Sequence, residues 1–310
     1  MRVLITGGTG LIGRALSEEL VKANHEIILL TRNPDQVQGL PAGVKAARWD
    51  GKTAQGWGAL ADGAYAIINL AGENLAGKSW FSIRWTKSRK ESIILSRLNA
   101  GQAVVEAVKA ARIKPQVVVQ ASAVGYYGRR DNQPVDEAEE PGSDFMASLC
   151  KDWEDSTYPV EALGVRRVVI RLGVVLSREG GALSRQTLPF KLFVGGPVGN
   201  GKQGYPWIHI TDAVKAICFL IETPQAQGAF NLTAPHLVTN ADFGRALGRA
   251  MRKPYYFPVP AFALRMAFGE ASTVLLDGQM PDPKRLREMG YTFQFPDVDS
   301  ALGDIFRNKK

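Results

Sequence analysis

Arg2-Val3-Leu4-Ile5-Thr6-Gly7-Gly8-Thr9-Gly10-Leu11-Ile12-Gly13 follows Met1. A short apolar run reads as a strand over residues 2–6, and a helical pattern follows over 11–22. Between them Gly7, Gly10 and Gly13 recur every third residue. Glycines at this spacing meet three physical demands: a tight turn, close approach of backbone N–H groups to a pyrophosphate, and close packing of helix on strand. Gly7, Thr9, Gly10, Leu11, Ile12 and Gly13 are therefore candidate residues of a dinucleotide-binding turn.

Beyond this turn the first half of the chain alternates strand and helix signals. Residues 26–31, 44–49, 65–70, 117–121 and 168–172 read as strands. The near-continuous apolar runs among them suit a sheet covered on both faces. A long helix is predicted over 83–111, with Ile94, Leu98, Val105 and Val108 on one face. The pattern predicts an α/β fold with a doubly wound parallel sheet. After Leu176 the texture changes. Residues 178–205 are glycine-rich, with one short helix over 183–192. Helices are expected at 208–222, 240–251 and 261–276, and a strand at 230–233. Residues 1–177 plus about 206–235 are read as the nucleotide domain, and 178–205 plus 236–310 as a smaller cap.

The ends of the predicted strands supply the rest of a nucleotide bed. A NAD-selective site places an acid at the end of the second strand, to accept from the ribose 2′-hydroxyl. Thr31-Arg32 stands there instead, and a guanidinium suits a 2′-phosphate, so NADP(H) is expected. Asp50 is placed to accept from an adenine amino group. Asn69-Leu70-Ala71-Gly72-Glu73-Asn74 is a small-residue turn beside which adenosine and ribose can pass.

Composition excludes several classes. The 310 residues are 45% hydrophobic and 22% charged, as expected of a globular protein. The net charge of +8 comes from dispersed basic residues; no pure run exceeds two residues, as at the terminal Lys309-Lys310. Only residues 84–90 interleave cations with an aromatic, and they read as a helix start or an anion clamp, so no nucleic-acid partner is expected. No apolar stretch has the length of a membrane span, and no membrane partner is expected. Cys150 and Cys218 cannot build a disulfide framework, and Cys218 reads as a buried, inert thiol. These features point to a cytoplasmic protein. His25, His209 and His236 lack metal-ligand spacing, and no metal is expected. His25 reads as solvated; His209 reads either as facing the pocket or as packed and hydrogen-bonded in the core. The acidic cluster of Asp136, Glu137, Glu139 and Glu140 reads as a solvated loop.

Further motifs carry a family likeness: Asn69-Leu-Ala-Gly-Glu-Asn74, Ser96-Arg97-Leu98, Ser122-Ala-Val-Gly-Tyr-Tyr-Gly128, Asp152-Trp153-Glu154, Arg171-Leu-Gly-Val-Val-Leu176, Gly195-Gly196-Pro197, Trp207-Ile-His-Ile210, Pro258-Val-Pro260, Phe268-Gly269-Glu270 and Gly290-Tyr291. With the glycine turn they span nearly the whole chain. The sequence resembles the extended short-chain dehydrogenase/reductase superfamily, and more narrowly its atypical "epimerase family protein" branch, which has a distinctive C-terminal domain. The resemblance implies NADP(H) held by the glycine turn, Thr31, Arg32, Leu70, Ala71 and Arg97, with Leu176 closing on the nicotinamide side.

Short-chain dehydrogenases pair a serine with Tyr-x-x-x-Lys, whose spacing stacks phenol and ammonium on one helix face and lowers the phenol pKa. Ser122 matches the serine and Lys151 the lysine, but Ala147 occupies the tyrosine position. A proton relay then falls to Tyr126 or Tyr127, just after Ser122. In the cap, residues 195–203 offer backbone amides and Lys202 to an anionic or polyhydroxylated ligand, and Trp207 a stacking surface. Two functions remain open. One is an NADP(H)-dependent oxidoreductase or epimerase acting on a small carbonyl, hydroxyl or nucleotide-sugar substrate. The other is a non-catalytic NADP(H)-binding regulator with a protein partner, as in relatives labelled cell-division inhibitors. A homo-oligomer is compatible with both.

Overall fold

In the computed structural model, which describes residues 1–75, 77, 83–130 and 133–307, the chain begins β1 (Arg2–Thr6), α1 (Leu11–Lys22), β2 (Glu26–Thr31), β3 (Val44–Arg48) and β4 (Ala66–Asn69). It continues α2 (Lys87–Ala110), β5 (Val117–Ala123), β6 (Pro134–Val135), α3 (Phe145–Asp155), β7 (Arg166–Leu172) and β8 (Val174–Leu176). Next come α4 (Ala182–Lys191), β9 (Trp207–His209), α5 (Ile210–Glu222), β10 (Gly228–Leu232) and α6 (Asn240–Met251). The C-terminal part adds α7 (Ala261–Phe268), α8 (Thr273–Leu276), β11 (Met280–Pro281), α9 (Lys284–Glu288) and α10 (Val298–Phe306). Lys309-Lys310 lies outside the described residues.

Seven strands make one sheet in the order β3-β2-β1-β4-β5-β7-β10. All its pairings are parallel, so the architecture is the doubly wound one. Val3, Ile5, Ile27, Leu29 and Ile68 face α1 and α5, where Leu16, Leu20, Ile217 and Leu220 complete one buried layer. Leu4, Ile28, Leu30, Ile67 and Val118 face the other way, against Ala100, Val104, Ala107 and Val108 of α2. The order reverses at β1, which lies between β2 and β4, and this opens a crevice above their carboxyl ends.

Several boundaries differ from the sequence expectation. The long helix starts at Lys87, where the Thr86 hydroxyl accepts from the Arg89 N–H. Its buried stripe is Ile93, Arg97, Ala100, Val104 and Ala107, while Ile94, Leu98 and Val105 flank it half-buried. Small residues at its centre let the helix lie close to the sheet. The helix expected from residue 208 begins at Ile210, because Trp207–His209 pairs with β8 as a short parallel ribbon. The segment 261–276 breaks at Gly269 into α7 and α8.

A third core, separate from the sheet, joins Leu176, Leu183, Phe190, Trp207, Phe243, Leu247 and Leu302. Its helices are capped by their own sequence: Thr239 and Asp242 form a reciprocal capping box on α6, and Asp297 accepts from the Ser300 N–H on α10. Among the described residues no helix is long and apolar enough to cross a membrane.

Candidate functional site

The glycine turn leaves β1 with Gly7 at φ 66, and a Cβ there would lie 2.8 Å from the Leu70 carbonyl carbon and 2.9 Å from the Ala71 nitrogen. At Gly13 an added Cβ would stand 2.5 Å from Gly8 Cα. The first position needs a left-handed, side-chain-free residue; the second lets α1 settle on the turn. Gly10 is the N-cap of α1; it offers no side-chain cap, and the first helical turn contains no acid. The open N–H groups and the positive end of the helix dipole thus face the crevice.

A polar ladder runs beneath this edge. Thr6 Oγ1 donates to Asn69 Oδ1 at 2.6 Å, and Asn69 Nδ2 donates to Gln120 Oε1 at 2.8 Å. The Ala71 N–H donates to Thr6 Oγ1 at 3.3 Å, fixing the turn after β4 against the end of β1. Thr6 and Asn69 belong to the quoted motifs without a role assigned to their side chains, and Gln120 lies outside every motif. Each is a polar residue interrupting a buried apolar strand at or near its carboxyl end, a signal available in Val117-Val-Val-Gln120.

The turn after β4 meets α2. The Glu73 N–H donates to Ser96 Oγ at 3.0 Å, and Arg97 Nη1 donates to the Glu73 carbonyl at 3.1 Å and the Ile93 carbonyl at 3.0 Å. Gly72 lies directly against the guanidinium, whose Cζ would be 3.1 Å from an added Cβ. Arg97 is buried over the Trp153 ring at 4.6 Å, and burial pulls its pKa down to about 10. None of its hydrogen bonds goes to a carboxylate; a guanidinium buried this way favours an incoming anion. Glu73 pairs with Arg89. Arg32, at the exit of β2, is exposed and makes no ion pair among the described residues.

Structure brings Gly7–Gly13, Leu70–Glu73 and Arg97 to one edge; other expected residues go elsewhere. Asp50 is spent on its own turn: Oδ1 accepts from the Lys52 and Thr53 N–H groups at 2.7 and 2.8 Å, and Oδ2 from Thr53 Oγ1. Those bonds hold its carboxyl below the usual range and leave it a local role. Leu176 is fully buried in the cap core, so its side chain does not line the crevice. Nearby, a Cβ added at Gly181 would lie 2.9 Å from Leu11 Cδ2 and 3.7 Å from the Val175 carbonyl oxygen, so the segment after β8 passes close to the start of α1.

Ser122, Tyr126 and Tyr127 converge on a buried ion pair. Arg171 Nε and Nη2 donate to Glu154 Oε1 and Oε2 at 2.9 and 3.0 Å. Ser122 Oγ donates to the same Oε1 at 2.6 Å and is buried. Tyr127 is fully buried; its hydroxyl donates to Asn231 Oδ1 at 2.7 Å and accepts from Arg171 Nη1 at 3.1 Å. Burial pushes that phenol up to about 12. Tyr127 is therefore a core anchor of β10, and no free hydroxyl remains there for a substrate. Tyr126 is half-buried, its ring 3.5 Å from the Arg171 guanidinium carbon, and burial raises its pKa too.

Lys151 does not reach this cluster. It points to solvent and pairs with Asp155 at 2.6 Å, one turn along α3. The same helix presents Met146 and Cys150 to Gly125, and Ala147 is buried. The i, i+4 pair turned toward the loop after Ser122 is thus Met146 and Cys150, a thioether and a thiol, one residue ahead of Ala147 and Lys151. Burial pushes the Cys150 thiol up to about 12, which makes it a poor nucleophile. Both cysteines are free; Cys218 is half-buried, and burial likewise raises its thiol to about 12.

The acidic loop is not simply solvated. Glu137 is buried and accepts from the Asn231 N–H at 3.0 Å, and Asp136 pairs with Lys284. Arg84–Lys90 ties α2 to the C-terminal helices: Arg84 Nε donates to the Ala267 carbonyl at 2.9 Å, and Lys90 pairs with Glu270. In the cap, the N–H groups of Val198, Gly199, Gly201 and Lys202 are taken by neighbouring oxygens, so these four amides are not offered to an anion. Trp207 is buried and cannot stack on a ligand. His209 is packed, its Nδ1 accepting from the Thr211 N–H at the start of α5. It also lines a groove of about 800 Å³ along the outer faces of α1 and α5, which contains none of the nucleotide residues. His25 stacks on Tyr65 instead of lying in solvent. Among the described residues no group of three or more metal-ligating side chains occurs.

A seven-stranded parallel sheet, a glycine turn at its switch point and a helical C-terminal cap define an extended short-chain dehydrogenase/reductase fold. The chain belongs to the NAD dependent epimerase/dehydratase family, whose sequence profile matches residues 3–233. A second profile, a domain of unknown function (DUF1731), matches residues 259–305. An epimerase family protein of Staphylococcus saprophyticus is 38% identical over 303 residues, 97% of this chain and 98% of that one. The human epimerase family protein SDR39U1, solved with NADPH, superposes with a TM-score of 0.87 at 33% identity, covering 99% of this chain and 100% of that one. A nucleoside-diphosphate sugar epimerase of Corynebacterium glutamicum gives 0.76 at 32% identity, covering 99% and 58% respectively.

Proposed function

We propose that the protein binds NADP(H) and uses it for hydride transfer to or from a small carbonyl, hydroxyl or nucleotide-sugar substrate. The observation that carries the cofactor preference is Arg32: a guanidinium with no ion pair among the described residues stands where a NAD-selective site needs an acid. The NADPH-bound human relative, similar along the whole chain, supports the same reading. On this reading the glycine turn and the start of α1 of this chain would receive the pyrophosphate, and Arg97 would supply positive charge from below Gly72. When bound, the nicotinamide supplies the hydride. Ser122 is held too tightly by Glu154 to be the main substrate donor, so the proton falls to Tyr126, the one loop phenol with an accessible face. Arg171 stacks on that ring and favours its ionised form, against the opposing effect of burial.

Arg32→Glu is expected to weaken NADPH binding about 10- to 100-fold, the worth of a charge-assisted contact, and to leave NADH binding within a few-fold. Calorimetric titration with both nucleotides measures this; an unchanged NADPH affinity overturns the preference.

A second reading has its own observation. Ala147 removes the usual phenol, Lys151 faces solvent and Ser122 is committed to Glu154. That constellation suits a protein that binds NADP(H) and reports its redox state to a protein partner without turnover. Tyr126→Phe separates the two. With a panel of sugar nucleotides and small carbonyls, an enzyme loses most of its NADPH oxidation in this variant while its NADPH affinity stays unchanged. No turnover by the unmodified chain, together with NADPH-dependent partner capture, selects the regulator.

A further inference from the structure

The ends of α4 and α6 carry a feature that the nucleotide site does not use. Each helix is followed by a non-glycine residue in the left-handed region: Phe193 at φ 62 and Arg252 at φ 53. Glycine or asparagine is the usual occupant there, because a Cβ is strained in that conformation. The chain nevertheless places a phenylalanine at this corner and leaves it in solvent. Leu192, Phe193 and Val194 are 63%, 55% and 46% exposed in succession, and Tyr256 and Phe257 are 78% and 56% exposed. Strain retained at an exposed aromatic points to a use for that aromatic.

The two segments form one surface. The Gly195 carbonyl accepts the N–H groups of Tyr256 and Phe257 at 2.8 and 3.0 Å, and Lys253 Nζ sits 3.7 Å over the Phe193 ring. Their sequences share a pattern: Lys191-Leu-Phe-Val194 and Arg252-Lys-Pro-Tyr-Tyr-Phe257 both open with cations and continue into apolar or aromatic residues. Residues 180–211 and 243–269 contain no aspartate or glutamate at all. The two segments therefore make an apolar tip beside Lys191, Arg252 and Lys253, to which they contribute no acid of their own.

We propose that this tip docks on the surface of an anionic lipid bilayer. Leu192, Phe193, Tyr256 and Phe257 enter the headgroup boundary, and Lys191, Arg252 and Lys253 meet lipid phosphates. Charge complementarity selects this occupant. A second copy would bring two basic rims together, which like-charge repulsion opposes. Three consecutive exposed apolar side chains, Leu192, Phe193 and Val194, suit a fluid interface better than a partner protein that must match their shape. Such docking needs no helix to cross the membrane, and it is independent of the nucleotide reading, since none of these residues lies at the glycine turn.

The test is co-sedimentation of the full chain with vesicles of phosphatidylcholine, with and without phosphatidylglycerol. The unmodified chain is expected to pellet only with the anionic vesicles, and less so as salt rises. Phe193→Gly relieves the strained corner, so its melting temperature should stay level or rise, while its bound fraction falls about tenfold. Phe257→Ser, at an unstrained position, is expected to lose binding in the same way, and Arg252→Ser with Lys253→Ser to abolish the preference for anionic lipid. Equal pelleting with both vesicle types overturns the proposal. So does undiminished binding by Phe193→Gly, or a self-association that Phe193→Gly dissolves in a chain that ignores vesicles.

Discussion

Gly13→Ala is expected to cost the chain its NADPH affinity and part of its stability together. The new Cβ would lie 2.5 Å from Gly8 Cα and 2.7 Å from the Gly8 carbonyl group, and these are backbone atoms that cannot rotate away. Gly8 has no room to retreat, because its own added Cβ position is already 2.4 Å from Leu29 Cδ2. Relief must come from α1 moving off the sheet, and α1 brings Leu16 and Leu20 into the main core. Overpacking of this kind costs about 1–3 kcal/mol. The same movement shifts the N–H groups at the start of the helix, and NADPH affinity is expected to drop about 100-fold or more. Gly10→Ala provides the contrast: φ is −75 and the nearest atom, the Gly7 carbonyl oxygen, is 3.2 Å from the added Cβ. It should be tolerated far better. Thermal unfolding with and without NADPH, beside calorimetry, reads both effects. A Gly13→Ala chain that binds like the unmodified one would mean that the turn is not the pyrophosphate site.

Glu154→Ala is expected to be the most destabilising single change, by about 3–5 kcal/mol. Arg171 would keep its burial and lose both carboxylate contacts, leaving an uncompensated charge between β7 and α3. Ser122 and the Tyr126–Tyr127 corner would lose their reference point as well. Glu154→Gln keeps the shape and one acceptor, so it should lie between the two. Replacing both partners together, Glu154→Met with Arg171→Leu, should recover much of the loss, because a buried ion pair is often no better than apolar packing of similar volume. Urea unfolding of the four proteins measures this. Should Glu154→Ala unfold within 1 kcal/mol of the parent, the pair is not the organising contact of this corner.

These two sites show how differently sequence and structure speak. The glycine turn is a local object: its strand, its turn and its helix are contiguous, and spacing alone states the steric demand. The Glu154 cluster is assembled from α3, β5, β7 and β10. Ser122, Arg171 and Asn231 are far apart along the chain and meet only because parallel strands align their carboxyl ends, Ser122 opposite Arg171 in the register. From sequence, Ser122 and Lys151 form a plausible pair; in the fold, the helical phase of α3 turns Lys151 outward and sends Cys150 inward. Tyr126 and Tyr127 look equivalent as neighbours, yet a tight turn buries one and leaves the other half open.

The sequence by itself determined the parallel sheet, the position of the nucleotide turn and the family, since periodicity, glycine spacing and motif order are properties of contiguous residues. Only the tertiary structure decided which polar side chains are free to act. Asp50, Ser122, Tyr127 and the amides of Val198, Gly199, Gly201 and Lys202 have the right chemistry, but they are already hydrogen-bonded to neighbours. A hydrogen bond made inside the fold is a donor or acceptor withdrawn from any ligand, and no reading of residue types can count those bonds before the chain has folded.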